Sequence, residues 1–221
     1  MCGGRFQLHR DAVLGRGGFA VVRRGEDTTE SGRAVAVKCF NVDGDHADAD
    51  DAAEEGAVDR STRAFEQFER EYGILQRLHA DASSKPPPVV GLIDYSRHGT
   101  SNTPGPEADG SCYLVLELGD ITLDQFLAER GTIPPAETRE LLTHLLGCLA
   151  WLQTMGFVHL DFKFSNCMRF SGSWKLVDCD AIMEIGTVVD RRAAPVRARA
   201  MLRLVGGPAS KAIVNLTCLS R

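Results

Sequence analysis

The sequence predicts an α+β fold in two parts, an antiparallel sheet carrying one helix and then a mainly helical region. Three observations lead there. Residues 6 to 40 read as three strands with turns at glycines, and residues 60 to 79 place apolar side chains at three- and four-residue steps. Residues 134 to 152 repeat that helical spacing over a longer stretch. With 221 residues, 43% of them hydrophobic, the chain can bury the core of one large domain or of two lobes. A net charge of −5 argues against a nucleic-acid partner held by bulk electrostatics. No apolar run reaches membrane-spanning length, so no membrane partner is expected. The start, Met1-Cys2-Gly3-Gly4, has no apolar run and no glycine at position two, which argues against a secretory signal and against myristoylation. The seven cysteines form no C-x-x-C pair or zinc-ligand spacing, so free thiols in an intracellular, cytoplasmic setting are expected.

In chain order, the first turn holds Leu14-Gly15-Arg16-Gly17-Gly18-Phe19-Ala20-Val21-Val22. Gly15 and Gly17 would let backbone amides approach phosphate oxygens with no Cβ in the way, although a plain hairpin loop explains them as well. Ala34 to Phe40 alternates as a strand and sets Lys38 on the face opposite Val37. Residues 41 to 60 are rich in Asp and Glu among alanines. The D-x-D-x-D-G order of a calcium loop is missing, so this stretch is read as a disordered or frayed acidic insertion. From Arg60 to His79, Phe65, Phe68, Tyr72, Leu75 and Leu78 form one helical face, with Glu71 beside it. After Pro86-Pro87-Pro88 come a strand from Val89 to Arg97, a loop insertion over 98–111, and an apolar strand from Cys112 to Leu118. A short helix over Leu123 to Glu129 follows, and Pro134-Pro135 opens the long one. Leu141, Leu142, Leu145, Leu146, Leu149 and Leu152 give that helix a broad apolar face, with His144 at its core or edge. A strand pair, Cys167 to Phe170 and Trp174 to Val177, then ends at Asp178-Cys179-Asp180.

Between the long helix and that pair lies His159-Leu160-Asp161-Phe162-Lys163-Phe164-Ser165-Asn166. An acid, a cation and an amide within one turn are the mixture that phosphoryl transfer needs. Read as H-x-D-x-K-x-x-N, this stretch resembles the catalytic loop of protein kinases. G-x-G-x-F-x-x-V from Gly15 to Val22 resembles their glycine-rich loop, with Ala20 in place of the third glycine, and Val35-Ala36-Val37-Lys38 resembles V-A-I-K. The run E-x-x-I-L-x-x-L-x-H selects Glu71 over Glu66 and Glu69 as the helix partner of Lys38, and Glu117-Leu118-Gly119 resembles the hinge. The resemblance covers about residues 8 to 185. It implies a kinase-like two-lobe fold: an N-terminal lobe over 1–118 and a partial, mainly helical C-terminal lobe over 119–186. A basic tail, 187–221, is not kinase-like.

The implied activity is that of a serine/threonine-type protein kinase, with ATP and Mg2+ as cofactors and a protein as substrate. Asp161 would orient and deprotonate the hydroxyl, Lys163 would contact the γ-phosphate, and Asn166 and Asp178 would hold the metal ions. Lys38, fixed by Glu71, would anchor the α- and β-phosphates. Leu14, Gly15, Gly17, Phe19, Val22, Ala36 and the backbone of Glu117 and Gly119 would cradle the nucleotide. The competing expectation is a pseudokinase-like module that binds nucleotide or a partner without phosphotransfer.

Four departures from the family pattern stand out. Leu160 replaces the arginine that clamps a phosphorylated activation loop, Cys179 replaces the stacking phenylalanine of D-F-G, and Asp180 replaces its glycine. Beyond Gly186 no A-P-E follows, and Arg191, Arg192, Arg197, Arg199 and Arg203 stand against the single acid Asp190. Such a stretch suits either a tail for nucleic acid or anionic lipid or a truncated or frame-disrupted product, and the second is the expectation. Without lower-lobe helices, the long helix would then leave apolar surface exposed.

Overall fold

The computed structural model describes residues 1–40, 57–80, 86–99, 101–190 and 211–213. The chain divides into two units, Met1–Leu118 and Gly119–Arg221. Most of the acidic stretch (41–56) and nearly all of the basic tail lie outside the described residues.

In the first unit the glycine-punctuated alternation becomes β1 (Phe6–Arg16), β2 (Ala20–Asp27) and β3 (Arg33–Phe40). With β4 (Leu92–Tyr95) and β5 (Cys112–Glu117) they form one antiparallel sheet in the order β1-β2-β3-β5-β4. Helix α1 (Ala57–Ala80) begins inside the span expected to be an insertion. It packs on the sheet face bearing Lys38 and Phe40, where Phe40 and Phe68 meet edge to face at 5.7 Å. The opposite face is also covered. Phe6, Val35, Val37, Cys39, Tyr113 and Val115 form a buried cluster, with Met1, Cys2, Leu8 and Ile93 packed against it. The 98–111 loop contributes to that cover, since Glu107 accepts a hydrogen bond from the backbone of Cys2 and Asp109 one from the Tyr113 hydroxyl.

The strand expected over Val89 to Arg97 is shorter than its composition suggests. Val89 and Val90 are buried outside the ladder, and β4 keeps only four residues, with a register slip between Leu92 and Asp94.

The second unit opens with β6 (Ile121–Thr122) and α2 (Leu123–Arg130). Gln125 accepts from the Thr122 N–H at the start of α2, and Gly131 ends it at a φ of 66°. Helix α3 (Pro135–Thr154) starts where the prolines predict, since a proline in the first turn leaves no hydrogen bond unmade. Its buried residues are Leu141, Leu145, Cys148 and Leu152, and it packs on β7 (Phe157–His159) and β9 (Ser173–Leu176). Strand β8 (Cys167–Phe170) lies between β6 and β9, and β10 (Ile182–Glu184) pairs with β7. A last pair joins β11 (Val188–Asp190) to β12 (Lys211–Ile213), so part of the expected tail is strand.

The broad apolar face expected on α3 splits in two. Its Leu141–Leu145–Leu152 side is core, whereas Leu142 is 50% and Leu146 63% exposed. These two line an open hollow with Ile133, Pro135 and Arg139. His144, expected at the core or its edge, is exposed; three residues after Leu141 and four before Cys148, it borders the buried side of the helix without being covered.

Candidate active site

In the first unit, sheet register brings the expected nucleotide residues onto neighbouring strands. Gly15 pairs with Val22, Val22 with Lys38, and Ala36 with Leu116. Because side chains directly opposite each other share a face, Val22, Ala36 and Lys38 point the same way. The turn between β1 and β2 is closed by Gly17 N–H donating to the Ala20 carbonyl at 2.8 Å. A Cβ built on Gly15 would meet nothing within 4 Å, so the space over that strand is open to a ligand. Leu14 and Phe19 flank the turn and are both exposed.

Lys38 Nζ lies 2.7 Å from Glu71 Oε2. The lysine is 8% exposed and the glutamate 1%, so both charges sit almost out of water. Burial of this kind is tolerated only with close pairing. The ion pair joins β3 to α1.

The turn in the second unit is built from both ends. Strand β7 delivers His159, and pairing with β10 holds the next residue, since the Leu160 N–H donates to the Ala181 carbonyl at 2.9 Å. Leu160 itself is buried, an apolar plug where the resemblance would put a cation. Asp161 then accepts three hydrogen bonds from two side chains. Lys163 Nζ reaches its Oδ2 at 2.7 Å, and Asn166 Nδ2 reaches its carbonyl at 2.9 Å and its Oδ2 at 3.3 Å. Asp161 also donates: its N–H bonds His159 Nδ1 at 3.2 Å, while His159 Nε2 faces the Val177 carbonyl at 3.4 Å. The imidazole therefore carries its proton on Nε2 and accepts at Nδ1. Burial holds its pKa below the usual histidine value, against the opposing pull of the Val177 carbonyl and of Asp178 and Asp161. The role of His159 in setting the Asp161 backbone was not read from the sequence; its position two residues before the acid was the available signal.

Val177 N–H donates to the Asn166 carbonyl at 2.9 Å, which ties the end of β9 to the turn just before Asp178. Asp178 sits at φ 61°, ψ 61°, a left-handed conformation that Asp and Asn tolerate better than most side chains. Cys179 behind it is fully buried at the start of a 3-10 turn, Cys179–Ala181. Gly119 lies against the same sheet: a side chain there would run into Met168 and Phe170. The first unit thus gathers Gly15, Gly17, Val22, Ala36, Lys38 and Glu71, and the second gathers Asp161, Lys163 and Asn166, with Asp178 beyond Val177.

An antiparallel sheet with a helix-paired lysine, followed by a mainly helical unit that presents an acid, a cation and an amide on one turn, is the fold class of the protein kinases. A family model described as the protein kinase domain matches residues 8–189. The chain belongs to that family. It is 28% identical over 167 residues to "Probable serine/threonine-protein kinase PknB" of Lactococcus lactis, covering 75% of this chain and 22% of the relative. It is 28% identical over 179 residues to "Serine/threonine-protein kinase F" of Synechocystis, covering 78% of this chain and 32% of the relative. With "Dual specificity protein kinase Ttk" of Danio rerio it shares 25% identity over 166 residues, 75% of this chain and 14% of the relative. The chain therefore spans about a third or less of the length of these relatives. Among the described residues no helix is long and apolar enough to cross a membrane.

Proposed function

We propose that this chain binds MgATP and transfers its γ-phosphoryl group to a serine or threonine hydroxyl of a protein. The observation that carries the reading is the Asp161 turn, where Lys163 and Asn166 both hold the same carboxylate oxygen, Oδ2. In the reaction the substrate oxygen attacks the γ-phosphorus as its proton passes to Asp161, and the bond from phosphorus to the β-phosphate oxygen breaks, releasing ADP. Lys163 offsets charge on the moving group, and Lys38, held by Glu71, anchors the α- and β-phosphates.

The donor set fits a magnesium ion. Asn166 turns its amide nitrogen to Asp161, which leaves the amide oxygen as the end for a hard cation. Asp178 supplies a carboxylate. Among the described residues no group of three or more His, Cys, Asp or Glu gathers into a protein-only metal cage. One or two protein oxygens completed by phosphates is the usual magnesium arrangement. When bound, the ion neutralises charge building on the phosphate oxygens.

The second reading is a partner-binding module without phosphotransfer, favoured by the exposed Leu142 and Leu146 and by buried Leu160 in place of a cation. Two measurements separate them. MgATP should raise the melting temperature of the chain, and Lys38→Met should abolish the rise; an unchanged melting curve for the unaltered chain counts against nucleotide binding altogether. Radiolabel transfer from γ-labelled ATP to a generic basic protein should be lost in Asp161→Asn. Equal counts for the two proteins would leave the second reading standing.

A further inference from the structure

Phosphoryl transfer at Asp161 makes no use of Phe164, which follows Lys163 directly and opens the 3-10 turn Phe164–Asn166. The inner end of that turn is pinned. Asn166 N–H donates to the Lys163 carbonyl at 3.0 Å, and the Cys167 thiol donates to the same oxygen at 3.4 Å. Asn166 is 5% exposed and Cys167 is fully buried. At three residues per turn, a side chain two positions before Asn166 points well away from it. The Phe164 ring is accordingly 49% exposed. Charges on the turn are matched within it, since Lys163 Nζ holds Asp161 Oδ2 at 2.7 Å, and Ser165, beside Phe164, is neutral. An open aromatic ring, and not a carboxylate, is what the turn presents next to its reacting acid.

We propose that Phe164 is a substrate-specificity residue: its ring takes up an apolar side chain two positions from the acceptor serine or threonine, so that apolar residues there mark the substrate. The proposal rests on the reading that Asp161 receives the acceptor hydroxyl. Three residue steps put the Phe164 Cα no more than about 11 Å from that of Asp161, and a turn brings it nearer. A peptide bound extended advances about 3.3 Å per residue, and its alternate side chains share a face. With the acceptor turned to Asp161, the next side chains on that face are two residues away on either side, about 6.6 Å along the strand. That distance falls within the reach of Phe164. Side chains one position away point to the opposite face and miss the ring. A leucine or phenylalanine covering the ring removes apolar surface from water on both partners. An arginine over an exposed phenylalanine gains less, since water competes for its charge.

The test is steady-state transfer from γ-labelled ATP by the full chain to a peptide set. Each peptide carries one serine in a neutral background, with leucine, arginine or glycine two positions before or two after it. For the unaltered chain, leucine at one of these positions should raise kcat/KM about three- to tenfold over glycine, mostly through KM, and arginine should not. Phe164→Ala should abolish the gain, Phe164→Leu should keep most of it, and Phe164→Glu should pass the preference to arginine. The MgATP melting shift of each protein reports folding and nucleotide binding separately. An unaltered chain indifferent to both positions, or a leucine preference that persists in Phe164→Ala and Phe164→Glu, overturns the proposal while phosphotransfer stands. Equal losses on all peptides with a lowered melting temperature make the ring a packing element of the turn, and overturn it too. If the unaltered chain labels no peptide and no protein, the functional reading fails and takes this proposal with it. Should Phe164→Ala not fold, Phe164→Leu and Phe164→Glu decide.

Discussion

Lys38 and Glu71 contact each other at 2.7 Å with almost no solvent, so neither can lose its partner cheaply. Removing one member of such a pair leaves an uncompensated buried charge, a loss of about 3–5 kcal/mol, whereas replacing both with apolar groups is often neutral. Lys38→Met should therefore destabilise the chain strongly, and Lys38→Met/Glu71→Leu should recover most of that in denaturant melts without recovering any nucleotide response. A single variant as stable as the unaltered chain would mean the pair is not closed in solution. His159 gives a pH dependence with a defined sign. Burial holds its folded pKa below the ordinary value of 6.5, so below that pH the unfolded chain takes up a proton that the native chain refuses. The stability is complete above about pH 6.5 and falls as pH drops through it, by at most about 1.4 kcal/mol per pH unit. Protonation also converts Nδ1 from acceptor to donor, directly opposite the Asp161 N–H. Melting between pH 7.5 and 5.5 should show this slope. In His159→Asn, whose amide oxygen can still accept from Asp161, it should flatten; an identical slope in both proteins would assign the titration elsewhere.

At the scale of elements, the two faces of α3 should respond in opposite ways to substitution. Leu145 is core, and Leu145→Ala should cost about 2–5 kcal/mol. Leu142 and Leu146 are half or more exposed, so Leu142→Gln/Leu146→Gln should change stability little while reducing light scattering on concentration. A double variant that scatters as before would show that this face is not the adhesive one. The sequence had made α3 one broad apolar face, because periodicity reports which side chains are apolar and not whether anything covers them. The long elements were legible for the same reason: β1 to β3, α1 and α3 each run long enough to show a period. Strands β6, β7 and β10 have two or three residues each and exist only through a partner distant in sequence, so no local pattern announces them. Motif spacing likewise brought Lys38, Glu71, Asp161, Lys163 and Asn166 to notice. It could not reveal that His159 accepts from the Asp161 backbone, since that depends on how the ring is turned, and the Val177 carbonyl that faces its other nitrogen comes from a separate segment.

For the molecule as a whole, the cysteines offer a probe already distributed over both units. Cys39 and Cys112 lie in the first, and Cys148, Cys167 and Cys179 in the second; all five are buried, and none is in a disulfide. Burial pushes the thiols of Cys39, Cys112 and Cys167 up to about 12 and that of Cys148 to about 11. At pH 8 only about one in a thousand or fewer of these four is a thiolate, the form that alkylates. Labelling by iodoacetamide should therefore wait for the chain to open, and its rate at each cysteine should follow the opening of its own unit. Lys38 belongs to one unit and Asp161, Asn166 and Asp178 to the other. If MgATP engages residues of both, as the proposed function requires, it protects both units by mass action, and at a hundredfold excess over its Kd labelling should slow by about a hundredfold in each. Mass spectrometry of labelled peptides with and without MgATP reads this directly. Protection confined to Cys39 and Cys112 would mean that the sheet and Lys38 hold the nucleotide alone, leaving the Asp161 turn unengaged and the phosphotransfer reading without its acceptor.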